Sequence, residues 1–537
     1  MVADTVNRQH NKVCLFELSR FQQVALGYCS TDAKSCYDRI VHSFASLAMR
    51  KWGVPKFVAL TMFDVISLIS HFVQTGFGVS SASYSHPPEE LFQGVGQGKG
   101  AGPAIWAAVS APLLEYLDSR DRGVTFHSSL SQAVVQISAL AFVDDTDVVV
   151  GIPEGESCLH DDIIQRLTEQ VKDWSGVLRV SGGAIVPEKS FYWILNYVNG
   201  KPMSRSSGPP IAALGSDGNA GQIPFLSASE SRRTLGMLIN PTGTWTAQRD
   251  KMRLRMERWA EASRIASLSR SDAMMELRTR VIPKLLYGLS ATSFHARDCR
   301  CIMAPAVKVG LNLCGTVRTL PHSIVFGQEE LLGLGVHDIY MAQGLSHLQA
   351  LALYGPMDQS LTGKLIRGLM GQAVVTVGLG SSVLSSCFPK FGQLLPNGWV
   401  KTLWRFCSEF NIQVDDWLPG VSLLRENDRY IMQCAIERYS DRDTSSISSV
   451  NRCRLFLKLV TFGNGRTLME RFLHGNPQGF SHRSIIQFAP SHPTAADWSV
   501  WRSFRLEFFP YVQRWVDGLG RLKILVGCRL FIKQGLG

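Results

Sequence analysis

The chain has 537 residues, of which 45% are hydrophobic and 18% charged, and its formal charge is +11. That hydrophobic content excludes wholesale disorder and allows a sizeable core spread over roughly two to four domains. The basic balance suits a polyanionic partner, because lysine and arginine near phosphates release condensed counterions; a merely basic globular protein is the plainer reading.

The start, Met1 to His10, is polar and excludes a signal peptide. The apolar stretch Phe57 to Val79 is interrupted by Asp64, Ser67, Ser70, His71 and Gln74, which predicts a buried helix and no membrane span. Twelve cysteines show no zinc-ligand spacing. They read as free thiols of a reducing compartment, so the chain is expected inside the cell, in nucleus or cytoplasm, not secreted.

Up to about residue 200, short β-rich runs alternate with helical patterns. The run Val24 to Thr31 predicts a strand that ends at Asp32, followed by Ala33-Lys34-Ser35-Cys36-Tyr37-Asp38. Asp32 reads either as a strand-end acid for a metal or as the cap of a helix starting near Lys34. Next, Gly94 to Pro103 is glycine-rich and leads into an apolar helix from Ala104 to Leu117. Its glycines let backbone approach a nucleotide or template, and Gln97 can reach a base or sugar edge. Rossmann and P-loop spacings are absent.

The sharpest feature is Phe142-Val143-Asp144-Asp145, between the β-rich runs Val134 to Val143 and Val148 to Val150. It predicts a hairpin with carboxylates at its tip. If Asp32 closes a neighbouring strand, the acids could hold two Mg²⁺ about 4 Å apart, activating a 3′-hydroxyl and stabilising departing pyrophosphate. The Asp32 and Asp144 carboxylates are then expected within about 6 Å of each other. Asp38 and Asp147 are expected to be structural.

Residues 199–221 are rich in Gly, Pro and Ser and predict a linker or exposed loop. Ala247 to Leu289 predicts two helices, with Met252, Met256, Trp259 and Ala266 near one face. Arg249, Lys251, Arg253, Arg255, Arg258 and Arg264 crowd the first. They read as a phosphate-binding face or as a solvated amphipathic helix. Ser269 with Asp272 predicts a helix start. From about residue 300 the pattern is mostly helical.

Strand acid, Gln-Gly loop with helix, and Asp-Asp hairpin follow one another in the order found in the reverse transcriptase family, which this sequence resembles. Asp32 and Asp38 match the first motif, Gln97, Gly98 and Pro103 the second, and Phe142-Val143-Asp144-Asp145 the third. Lys189, in Pro187-Glu-Lys-Ser-Phe191, is similar to the fourth motif's lysine, and Arg233-Thr-Leu-Gly236 to the segment that grips the primer end. Val281 to Gly288 and Leu332 to Gly335 resemble, less specifically, the thumb of eukaryotic non-LTR-like elements.

The resemblance implies an α+β fold: a right-hand polymerase palm with an antiparallel sheet, a helical thumb and a mostly helical C-terminal region. The expected divisions are 1–198 (partial fingers and palm), 199–221 (linker), 222–246 (primer-grip-like), 247–300 (thumb) and 301–537. It implies Asp32, Asp144 and Asp145 as catalytic acids that hold two Mg²⁺, or Mn²⁺, with the Ala33 carbonyl. Ala33, Tyr37, Gln97, Gly98 and Lys189 would bind the nucleotide; Arg233, Gly236, Arg253, Arg255 and Arg258 the nucleic acid. Partners are an RNA template, a DNA primer and deoxynucleoside triphosphates, with no membrane.

Viral RNA-copying RNA polymerases share the palm, but carry a second Asp five positions after the first acid and a Gly-Asp-Asp hairpin. Tyr37 stands there instead, either under the sugar, where its ring would clash with a 2′-OH, or packed on the following helix. Gly102 stands where the family usually has Ser. Asp32 lies close to the start, so incomplete fingers are expected, and neither an endonuclease nor an RNase H-like spread of acids is recognisable. The alternative is a retroelement remnant that binds nucleic acid without polymerising.

Overall fold

In β1 (Leu26–Asp32) burial does not alternate: the first four residues are all buried, as in a strand covered on both faces. It follows α1 (Val2–Gln22) and precedes α2 (His42–Lys51), α3 (Lys56–Ser67), β2 (His71–Thr75), β3 (Gly78–Tyr84) and α4 (Gly102–Ser119). Then come β4 (Val124–His127), β5 (Val134–Ile137), β6 (Ala139–Phe142), β7 (Asp145–Gly151) and α5 (His160–Val180). Strands β8 (Phe191–Val198), β9 (Lys201–Met203), β10 (Ile211–Leu214), β11 (Ala220–Ile223), β12 (Arg232–Thr234) and β13 (Met237–Ile239) complete the first part.

The computed structural model describes residues 2–34, 36–85, 93–96, 100–128, 130, 133–143, 145–152, 159–198, 201–203, 205–215, 218–317, 319–380, 382–414, 418, 429–439, 443–457, 459–461 and 493–508.

The fold is α+β. A five-stranded sheet runs β6–β7–β1–β8–β9, each neighbouring pair antiparallel. One face carries Leu26, Tyr28, Val149, Trp193 and Leu195, covered by Phe16 of α1. Tyr28 stacks on Trp193 at 5.6 Å, and Phe16 meets Tyr28 at 5.1 Å. The helix Leu361–Val377 packs outside α1, so this C-terminal helix shares the sheet's core. The opposite face carries Cys29, Val148, Val150 and Ile194 under α4 and α5. At about 1.5–3 kcal/mol per fully buried large apolar side chain, this double cover holds β1 and β7 rigidly.

The second part is helical. In α6 (Thr246–Ile265), Met252, Met256 and Trp259 are buried against Ile302 and Met303 of α9 (Ala296–Pro305). Between them run α7 (Arg270–Glu276), a π turn over Leu277–Val281, and α8 (Ile282–Leu286). Ser269 caps α7, its Oγ accepting from Asp272 N at 3.2 Å, as the sequence predicts.

Several expectations change. Ala266 is exposed at the end of α6, not on its buried face. The stretch 57–79 is not one buried helix: α3 ends at Ser67, and Gly76-Phe77-Gly78 turns β2 into β3, a hairpin exposed along nearly its whole length. The run 134–143 is not one strand, because at the buried Ser138 it switches from pairing with β4 to pairing with β7. Residues 199–221 are more than a linker: they hold β10 and the start of β11, and Ile211 and Ala213, with Ile223 just beyond, are buried in the α5 core. Among the described residues every cysteine is a free thiol, and no helix is long and apolar enough to cross a membrane.

Candidate active site

Side chains two apart on a strand share a face, so Asp32 continues the face of Leu26 and Tyr28. Asp145 continues that of Val149. The register β1–β7 sets Asp32 directly opposite Asp145, and β6–β7 pairs Phe142 with Asp145 to close the hairpin. Directly opposed residues hold their Cβ atoms about 4.5–5.5 Å apart. Two carboxylates are thus brought to one place, where aliphatic cover ends and both side chains are half-buried. Asp144 lies outside the described residues, as do Gln97 and Gly98.

Backbone ties fix Asp32. Val186 N donates to its carbonyl at 2.8 Å, and its own N–H donates to Ser190 Oγ at 3.3 Å. Lys189 Nζ lies 3.4 Å from Asp32 Oδ2, with the lysine 70% and the aspartate 25% exposed. At that exposure the pair is worth about 0–1 kcal/mol, so Lys189 is available to a competing anion. Asp32 belongs to β1 and does not cap the 3-10 helix Cys36–Arg39, whose first turn holds the exposed Asp38. Ala33 bridges to Ile185 through bonds on its neighbours, Val186 N to Asp32 O and Lys34 N to Ala184 O. The bridge itself does not use the Ala33 carbonyl.

The glycine-rich segment locks onto the first motif. Gly94 N donates to Ile40 O and Val95 N to Tyr37 O, both at 2.8 Å. Gly94 has φ +86°, and a Cβ there would lie 2.6 Å from the Asp38 carbonyl carbon, so only glycine fits. The half-buried Tyr37 ring lies against Gly102 at the start of α4. Trp106, also on α4, donates its indole N–H to Val143 O. Val143 has φ +53°, a costly conformation for a β-branched residue, so this bond braces the hairpin turn. Nothing in the sequence singles Trp106 out from an apolar helix.

A second strained turn lies at Leu235 (φ +46°) and Gly236 (φ +87°), between β12 and β13. Leu235 O accepts from Gln9 Nε2 at 2.5 Å and from the Tyr287 hydroxyl at 2.8 Å. Gly236 O accepts from Lys251 Nζ at 2.5 Å. Burial, then the charges of Arg233 and Arg255, pull the Lys251 pKa below the ordinary lysine value. Arg233 is exposed beside this turn. Sequence reasoning did not find Gln9, because its role depends on the packing of α1.

The cations of α6 do not share one face. Lys251, Arg255 and Arg258, spaced four and three apart, follow one stripe beside the Gly236 turn, and Arg255 reaches Lys284 O at 3.4 Å. Arg249 and Arg253 face α9: Arg249 pairs with Asp298 at 3.2 Å, and Arg253 with Glu257 at 2.9 Å while reaching Cys301. Arg264 pairs with Glu261. Asp147 is fully buried, 2.7 Å from Lys12 Nζ, and is structural as expected. Lys12 is buried in the core, and Arg20 is half-buried, donating to Pro241 O at 2.6 Å.

Among the described residues no group of three or more His, Cys, Asp or Glu side chains is placed to hold a metal ion; the expected group includes Asp144. The opposed oxygens of Asp32 and Asp145 are nevertheless the hard donors that Mg²⁺ takes.

No protein-family model and no curated protein matches the chain. Among solved structures it is similar to telomerase from Candida albicans in complex with a TWJ fragment of telomeric RNA. There the TM-score is 0.23 and the identity 10%, over 64% of this chain and 52% of that one. The corresponding Candida tropicalis telomerase gives 0.25 and 12%, over 66% and 51%. The chain spans about half the length of these proteins. Scores this low carry no argument about activity.

Proposed function

We propose that the chain is an RNA-directed DNA polymerase of a retroelement, adding deoxynucleotides to a primer 3′-hydroxyl. The observation that carries this reading is Asp32 directly opposite Asp145 at the end of one sheet face, both half-buried, with Lys189 3.4 Å from Asp32. Asp32, Asp144, Asp145 and the Ala33 carbonyl would hold two Mg²⁺, or Mn²⁺. When bound, the ions supply Lewis acidity to the attacking hydroxyl and the departing pyrophosphate.

The chain's own groups do the rest. Lys189 exchanges its exposed pairing with Asp32 for the triphosphate. Tyr37, seated against Gly102, limits space at the sugar 2′ position, and Gln97 and Gly98 would bind the nucleotide. Arg233, the Gly236 turn, Arg255 and Arg258 hold the template–primer backbone without reading sequence, as a translocating enzyme requires. Arg253, turned toward α9, contributes less. The thiols fit a reducing compartment, nucleus or cytoplasm.

The test is extension of a DNA primer on an RNA template by the full chain, with deoxynucleoside triphosphates and Mg²⁺. Extension that stops with chelator supports the reading. Duplex binding without extension under any divalent ion rejects it in favour of a non-polymerising remnant.

A further inference from the structure

One pleat step behind the opposed acids, the same sheet face holds a second cross-strand pair, Ser30 opposite Asp147. Ser30 Oγ donates to Asp147 Oδ1 at 2.9 Å. From above the face, Lys12 of α1 places its Nζ 2.7 Å from Asp147 Oδ2. The lysine is 1% and the aspartate 0% exposed, so both charges are fully withdrawn from water. Three elements, α1, β1 and β7, therefore meet on one carboxylate, about 7 Å along the strands from Asp32 and Asp145.

This tie sits at a boundary. Farther along, Tyr28, Val149 and Trp193 pack under Phe16, and the register is secured by apolar burial. Toward the acids that cover ends, and Val143, which follows Phe142 into the hairpin turn, holds a strained left-handed conformation. A buried ion pair adds little net stability compared with apolar residues of similar volume, because desolvation offsets the attraction. What it adds is direction at the strand ends, beyond the apolar cover: a lysine ammonium and a serine hydroxyl converge on one carboxylate and fix where β7 sits against β1 and α1.

We propose that Lys12, through Asp147 and Ser30, is a positioning residue for the carboxylate pair. It holds the ends of β1 and β7 in the register and pitch that set Asp32 opposite Asp145, so that the two acids meet divalent cations as one site. The clause about cations rests on the function proposed above; the clause about strand ends does not.

The test removes the charges without leaving one unpaired. The double variant Lys12→Met/Asp147→Leu keeps buried volume and is compared with the unmodified full chain in two measurements. Amide hydrogen exchange should accelerate at least about tenfold at Asp145 and Thr146 and stay unchanged at Val148 to Val150, a local loosening that a purely global role would not give. Mn²⁺ affinity, read by the paramagnetic resonance of free Mn²⁺, should fall at least about tenfold. Unchanged exchange at Asp145 and Thr146 in the double variant overturns the proposal, whatever the metal does. Uniform acceleration across β7 overturns it too, since Lys12 would then be only part of the core. Local acceleration in a protein that binds no Mn²⁺ even when unmodified upholds the positioning role and rejects the metal-site reading. Should the double variant fail to fold, Ser30→Ala provides the same comparison by removing a hydroxyl donor to Asp147, with the same outcomes deciding.

Discussion

The Tyr37 ring lies against Gly102: a Cβ at that glycine would meet the ring's Cδ1 at 3.4 Å and Cε1 at 3.5 Å. Those are ordinary contacts. The strand-end motif and the start of α4 thus touch through one aromatic edge, and Gly102 leaves room for a serine side chain. Gly102→Ser should shift stability by less than about 1 kcal/mol, read from thermal unfolding. Gly102→Leu should displace the ring. In primer extension both Gly102→Leu and Tyr37→Ala should change the ratio of ribonucleotide to deoxynucleotide incorporation, Tyr37→Ala by raising it. Unchanged discrimination in both variants would reduce Tyr37 to a packing residue.

The division of cations on α6 gives unequal expectations for its arginines. Arg255→Ala/Arg258→Ala should weaken duplex binding for all sequences alike and flatten the slope of log affinity against log salt by about one unit per lost contact. Arg253→Ala should change the slope by less than half as much, because Glu257 and Cys301 already occupy its guanidinium. Equal effects from the two variants would mean that the duplex lies along the α9 side.

Two buried histidines make stability depend on pH. Burial pushes His10 down to about 4, against the hydrogen bond from its Nδ1 to Ser290 O at 3.1 Å. Burial and the neighbouring His10 push His347 down to about 3. The unfolded chain takes up these protons below about 6.5, the folded chain only below those lowered values. Stability is therefore full above about pH 6.5 and falls as pH drops toward 4, by about 3 kcal/mol for His10 alone. Unfolding midpoints in urea at pH 7.5, 6 and 5 should decline. The double variant His10→Gln/His347→Gln should decline less, and an identical decline would place the acid sensitivity in other groups.

Much of the site's frame was legible in the sequence. The run ending at Asp32, the apolar helix after Pro103 and the Asp-Asp hairpin are local patterns, set by burial on a period of two or 3.6 residues. Lys189 is singled out by its motif, but its contact with Asp32 is not readable from it. The splitting of 134–143 at Ser138 was not legible, because an apolar run does not show which sheet each half joins. Nor were β10 and β11 legible: Ile211-Ala-Ala-Leu214 and Ala220 to Ile223 are short runs among turn formers, and only the α5 surface gives Ile211, Ala213 and Ile223 a partner. Gln9, Lys12 and Trp106 act across long sequence separations, and polar or aromatic residues on an amphipathic helix carry no sign of which distant atom they meet.

Single-turnover extension of a DNA primer on an RNA template, comparing the unmodified chain with Asp32→Asn, tests the paired-carboxylate account most directly. The substitution keeps shape and backbone ties while removing the charge opposite Asp145. The account predicts extension by the unmodified chain and a loss of roughly a thousandfold in the variant, about 4 kcal/mol of transition-state stabilisation, with duplex affinity within about threefold. Equal extension by the two proteins would contradict it.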